Sequence, residues 1–126
     1  MTPGLSDDLN DHADVIASLV TDRMVRLRPD LFDAYRNNLR NPSKTPEEWC
    51  TEDTIHHLEF LSAALTSSAE VFIEYREWLV RVLTARGIPK EDIDLNFSAI
   101  AMVLEERCGS EAQEAREILE SSREAH

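Results

Sequence analysis

The stretch Thr45–Leu65, TPEEWCTEDTIHHLEFLSAAL, limits the possible folds more than any other part of the chain. Thr45 has the chemistry of a helix N-cap, Pro46 suits the first helical position, and Glu48 stands three residues beyond the cap. That is a complete capping box, in which the Thr hydroxyl and the Glu carboxylate each take one orphan backbone N–H. Neither Gly nor Pro then interrupts the chain until Gly87. At about 100° of rotation per residue, Cys50, Asp53, His57 and Leu61 share one quadrant of the helix. Thr54 and Leu65 flank them, and His56 turns well away. A thiol, a carboxylate and an imidazole therefore occupy a face that otherwise reads as core, and no other part of the sequence sets polar chemistry among apolar positions in this way.

The rest of the chain reads as further capped helices. A first helix begins at Ser6 or Asp7 and carries Leu9, Ala13, Ile16, Val20, Met24 and Leu27 at spacings of three and four, the pattern of one apolar stripe. Arg23, Arg26 and Arg28 crowd its last turn, where cations suit the helix dipole, and Pro29 ends it. A shorter helix runs from Asp30 to about Arg40 with Leu31, Tyr35 and Leu39 inward, and Asn41-Pro42-Ser43-Lys44 is a connector of turn composition. After the central helix, Ser67 and Glu70 form a second capping box for a helix bearing Val71, Phe72, Tyr75, Trp78, Leu79, Val82 and Leu83. Arg86 and Gly87 close that helix. Pro89 opens the next, with Ile93, Phe97, Ile100 and Leu104 as its stripe, stopping near Cys108-Gly109. Ser110 and Gln113 make a third capping box, for a weakly apolar last helix through Ile118 and Leu119 that is expected to fray. No strand pattern, repeat or low-complexity segment competes, so the sequence predicts a single all-α domain over residues 1–126, of about six helices.

Composition enters as a set of exclusions. A chain of 126 residues, 42% hydrophobic and 30% charged, is one domain with a sizeable core. Its formal net charge of −12 argues against nucleic acid and anionic membrane surfaces as partners, because both repel an acidic protein. No apolar run approaches membrane-spanning length, and the acidic N-terminal segment MTPGLSDDLNDHAD lacks the features of a signal peptide. With two cysteines, Cys50 and Cys108, the expectation is a cytoplasmic protein with reduced thiols.

The run Cys50-Thr51-Glu52-Asp53-Thr54-Ile55-His56-His57-Leu58-Glu59 resembles the core motif of phycobiliproteins, a Cys, then Arg-Asp, then two tyrosines and a Leu on the chromophore-bearing helix. The similarity continues through Ala63-Ala64-Leu65, a short Ser turn, the Glu74-Tyr75 pair, and the Leu-x-x-Arg-Gly-x-Pro stretch from Leu83 to Pro89. Upstream, Arg28-Pro29-Asp30 is similar to an Arg-Pro-Asp at the matching place. The resemblance spans roughly Arg28 to Glu105. It implies a globin-like helical fold without the family's N-terminal hairpin, and a tetrapyrrole ligand. It extends to globin-like proteins associated with bilin biosynthesis and to helical domains found with cobalamin-binding modules. Glu52 in place of the Arg, and His56-His57 in place of the tyrosines, depart from the light-harvesting pattern and leave tetrapyrrole binding open.

By that resemblance, Asp53 is the carboxylate that accepts hydrogen bonds from the pyrrole N–H groups of a linear bilin, since an ionised carboxylate is acceptor-only and such bonds are charge-assisted. Cys50 stands at the thioether position. Acidic neighbours (Glu47, Glu48, Glu52 and Asp53) raise its pKa against the helix N-terminus, and a thiolate is what covalent attachment needs; read as core, it is a small buried hydrophobe. His57 contacts a pigment edge or ligates a metal, or is a satisfied core histidine. Trp49, Phe60, Tyr75 and Trp78 line a flat apolar pocket or belong to the core, with Tyr35 and Asn38 as further wall candidates.

Haem is a poorer expectation than a bilin, because the helix after the central motif carries neither His nor Met to hold iron. Conventional catalysis lacks its usual signatures: no phosphate loop, no metal-ligand cluster at recognisable spacing and no nucleophile elbow. Cys50 and His57, nearly two helical turns apart, are too distant for a dyad. The chain is therefore read as a non-enzyme, with two functions open. One is a tetrapyrrole-binding carrier, sensor or accessory in pigment metabolism. The other is a ligand-free interaction module acting through dimerisation or a protein partner, with a homodimer expected to bury Ile16, Val20 and Met24 of the first helix.

Overall fold

The computed structural model describes residues 4–38 and 43–124. Leu39, Asn41, Pro42 and His126, and the side chain of Asn38, lie outside the described residues. Seven α-helices follow one another: α1 (Leu5–Asp11), α2 (Ala13–Leu27), α3 (Pro29–Asn38), α4 (Pro46–Thr66), α5 (Ala69–Ala85), α6 (Lys90–Cys108) and α7 (Gln113–Glu124), with a 3-10 turn, Gly109–Ala112, between the last two. The described residues contain no strand. The predicted all-α domain is observed, and the extra helix arises because the first predicted helix is two. At His12 the backbone leaves helical geometry (φ −124°, ψ 25°), while bonds from His12 N–H to Asp8 O and from Ile16 N–H to His12 O carry the ladder across the bend. The bend lets α1 lie along α4, where Ser6 Oγ and Ser62 Oγ meet at 2.7 Å and Leu9 is buried.

Helix α4 is the centre of the molecule, in contact with α1, α2, α3, α5 and α7. Its capping box forms as predicted: Glu48 N–H donates to Thr45 Oγ1 at 3.2 Å, and the Glu48 carboxylate reaches back to Thr45 N–H at 3.4 Å. The other two predicted boxes do not form. Ser68, not Ser67, caps α5 and makes no side-chain cap bond. Ser67 instead donates its hydroxyl to Ala63 O at the end of α4. Ser110 falls inside the 3-10 turn and caps nothing. Pro29, predicted to end a helix, is the first residue of α3, a position where its missing N–H costs nothing.

The close of α5 is a Schellman turn. Gly87 sits at φ 88°, its N–H bonds Thr84 O at 3.0 Å, and Ile88 N–H bonds Leu83 O at 2.9 Å. This turn brings α6 back beside α2, and Ile93, Phe97, Ile100 and Leu104 enter the core as their spacing predicts. Each such side chain contributes about 2–3 kcal/mol by leaving water.

Three further expectations are corrected. Ile16, Val20 and Met24 are core residues in the protomer, so the apolar edge expected to support a homodimer is not at the surface; the outward side of α2 carries Val15 and Leu19 instead. Helix α7 does not stand free, because Ala115, Ile118, Leu119 and Ser122 are buried where it lies on α5, α6 and α4. Finally, α4 does not hold the only buried polar chemistry. Arg76 on α5 is wholly buried, and its Nη2 donates to Asp94 Oδ1 on α6 at 2.6 Å.

Candidate functional site

A cleft in two lobes runs beside α4. The first lobe, about 340 Å³, lies between α3, α4 and α6 and includes Tyr35, Trp49, Cys50 and Asn96 in its wall. The second, about 600 Å³, lies between α4 and α5 and is walled by Phe60, Tyr75 and Trp78. Asp53, His57, Leu83 and Arg86 belong to both lobes and form the waist between them. Volumes of a few hundred Å³ with mainly apolar walls and a few polar groups are the usual form of a small-molecule site. All seven residues expected from the sequence therefore line one or other of two adjoining depressions, and the α4 periodicity that placed Cys50, Asp53 and His57 on one face is what aligns them.

The waist is where the charge lies. Asp53 is half-buried and accepts no hydrogen bond from a described residue. Burial pushes its carboxyl above the usual carboxylate range; the Glu52 charge adds to this, while His56 and Arg86 oppose it. Desolvation without compensating bonds is the costly condition for a carboxylate. His56 itself is exposed, as its turn of the helix predicts.

His57 is 3% exposed, and its Nδ1 stands 2.5 Å from Tyr75 Oη. Burial lowers its pKa to about 3, and burial also raises the Tyr75 phenol, with the Asp53 and Glu59 charges adding. A neutral imidazole and a neutral phenol thus share one hydrogen bond across the α4–α5 seam. Phe97 meets the imidazole edge-on at 5.3 Å, and Phe60 stacks on Tyr75 at 4.0 Å. His57 is a satisfied strut at the back of the cleft. No group of three or more His, Cys, Asp or Glu side chains among the described residues is placed to hold a metal ion.

Cys50 is partly buried, with its thiol directed at Met24 Sδ 3.6 Å away. Burial raises its pKa, with a smaller push from the Asp53 charge. The sequence pointed the same way but ascribed the shift to four acidic neighbours; desolvation is the larger cause. Trp49 and Trp78 are the exposed lips of the cleft, at 44% and 51% exposure, and Phe60 is also exposed, so these three are not core. Lys44 Nζ lies over the Trp49 ring at 5.7 Å.

Three wall residues were missed or undervalued in the sequence. Arg86 read only as a helix end, yet its position at the cap of α5 sets a cation at the waist. Asn96 is the one amide inside the apolar stripe of α6, and that misfit was its visible signal. Tyr35, a lesser candidate, donates its hydroxyl to Asp92 Oδ2 at 2.5 Å and ties α3 to α6 at the mouth of the first lobe.

Comparison of the chain with protein-family models, with curated proteins and with solved structures returns no match. No helix among the described residues is long and apolar enough to cross a membrane.

Proposed function

We propose that this protein binds a tetrapyrrole, a linear bilin in preference to haem, in the two-lobed cleft, and serves as a carrier, sensor or accessory in pigment metabolism. The observation that supports it best is the Asp53 carboxylate, half-buried and without a hydrogen bond from any described residue, at the waist of an apolar cleft with aromatic walls. A flat, apolar, N–H-rich ligand supplies what this environment lacks: donors for the carboxylate and surface for the rings. Arg86 adds a cation within reach of a ligand carboxylate. Asp53 is also the residue that stands at the pigment-holding position of the motif this sequence resembles.

Binding is non-covalent in this reading, because a thiol whose pKa is raised holds little thiolate at neutral pH. The two cysteines are free, which accords with a reducing, cytoplasmic setting. Mixing the protein with biliverdin, phycocyanobilin or haem and recording visible spectra tests the proposal. A saturable new band with a linear pigment, lost from the protein on denaturation, is expected. No band with any of the three would reject it. The exposed lips, Trp78 and Phe60, favour one second reading, a module that docks a protein partner across the α4–α5 seam with the cleft unliganded.

A further inference from the structure

The wall of the first lobe includes a residue with a buried, unpaired acceptor. Asn96 is 7% exposed and belongs to the wall of that lobe. Its Nδ2 donates to Thr54 Oγ1 at 3.1 Å and faces Met24 Sδ at 3.3 Å and Cys50 Sγ at 3.7 Å. A thioether sulfur carries no proton and can only accept, so the contact with Met24 fixes which end of the amide is the nitrogen. The other end, Oδ1, is buried and has no hydrogen-bond partner among the described residues. Most buried polar atoms in folded proteins are paired, and an orphan costs about 1–3 kcal/mol of desolvation. A leucine at this position of the α6 stripe would carry no such penalty.

We infer that Asn96 is a ligand-specificity residue: its Oδ1 accepts a hydrogen bond from an N–H of the bound molecule deep in the first lobe, while Asp53 accepts at the waist. The inference rests on the tetrapyrrole reading and narrows it. Two acceptors, one at the waist and one deeper in the first lobe, call for a ligand with N–H donors at separate points along its length. An open-chain tetrapyrrole has this form, with pyrrole N–H groups at its centre and lactam N–H groups at its ends. A porphyrin turns its N–H groups into the middle of the macrocycle, where neither side chain reaches them in plane. Oδ1 is closed to solvent in the ligand-free protein, so the Asn96 side chain must turn toward the lobe when the donor arrives.

The signature is a separation of binding from stability. Asn96→Leu removes the orphan and keeps the volume, and Thr54 can turn its hydroxyl to the carbonyl one turn back. The free variant is expected to melt at or above the parent's temperature, yet to bind biliverdin about tenfold more weakly. Any residual affinity for protoporphyrin IX should be the same in the two proteins. Asn96→Ala, which cannot overfill the site, serves as the second variant and should show the same loss for biliverdin. If biliverdin binds both variants as well as the parent while Asp53→Asn weakens it, the role of Asn96 is wrong and the cleft proposal stands. If both variants melt well below the parent, or Asn96→Leu fails to fold, Asn96 is a structural residue and the inference is overturned. If the parent binds no biliverdin, the proposed function falls and this inference falls with it.

Discussion

Arg76 and Asp53 are charged side chains that apolar neighbours draw out of water, and the fold treats them in opposite ways. Arg76, at the seam of α5, α6 and α7, is wholly buried and has a counter-ion: Asp94 takes its Nη2 at 2.6 Å, and Arg123 approaches the other Asp94 oxygen at 3.9 Å, although Nε and Nη1 find no partner among the described residues. Asp53 is only half-buried, has no bonded partner among the described residues, and stands where the two lobes share a wall. A buried charge with a partner closes a structure, whereas a half-buried charge without one leaves a place for a ligand to complete it.

Removing a charge should separate them most clearly at Asp94. Asp94→Ala strands Arg76 without a counter-ion and should cost about 3–5 kcal/mol in urea unfolding. A cost under about 1 kcal/mol would erase the distinction. Asp53→Asn should behave in the reverse sense. Its folded carboxyl titrates above the ordinary value, so between the two pKa values the folded state holds the extra proton, and stability falls as pH rises through that window. The advantage of Asp53→Asn over the parent should therefore grow as the pH rises above the ordinary aspartate value. An advantage that shrinks would mean that Asp53 has a stabilising partner.

The His57–Tyr75 strut, on the border between the two regions, should act as framework. Tyr75→Phe leaves the buried Nδ1 without its partner and should cost about 1–3 kcal/mol. Because the folded imidazole titrates near 3, the unfolded chain takes up a proton that the folded chain refuses as pH falls below about 6.5. Stability should decline over that range, and decline less in His57→Gln. The smallest effects belong to the helix starts. Thr45→Ala should cost about 1 kcal/mol by loss of the cap, and Ser68→Ala, whose hydroxyl makes no cap bond, should fall within about 0.5 kcal/mol of the parent.

Much of the framework was legible because it depends on local chemistry and period. The Thr45 box, the Gly87 turn and the α6 stripe each follow from residue types at fixed spacing. The two failed boxes show the limit: Ser67 and Ser110 have the right neighbours in sequence, but the preceding helix or a 3-10 turn claims them first. The break at His12 has no proline or glycine to announce it, and it arises from the way α1 lies on α4. The site was half legible. One helix face placed Cys50, Asp53 and His57 together, and the second wall of each lobe comes from helices distant in sequence, which is why Arg86 went unread and Asn96 looked like an imperfection. Trp49, Phe60 and Trp78 read first as core and second as pocket wall, because aromatic residues at helical spacing are usually core, and only tertiary packing put them at its lips.

The most direct test is a visible-absorbance titration of the parent and Asp53→Asn with biliverdin, at a pH where both remain folded. The parent should give a saturable band, and Asp53→Asn should bind more weakly by about 1–3 kcal/mol, roughly five- to 150-fold, with the band displaced because the pigment has lost its counter-ion. Equal affinity and an unshifted band in the two proteins would contradict the assignment of Asp53 as the group the ligand completes.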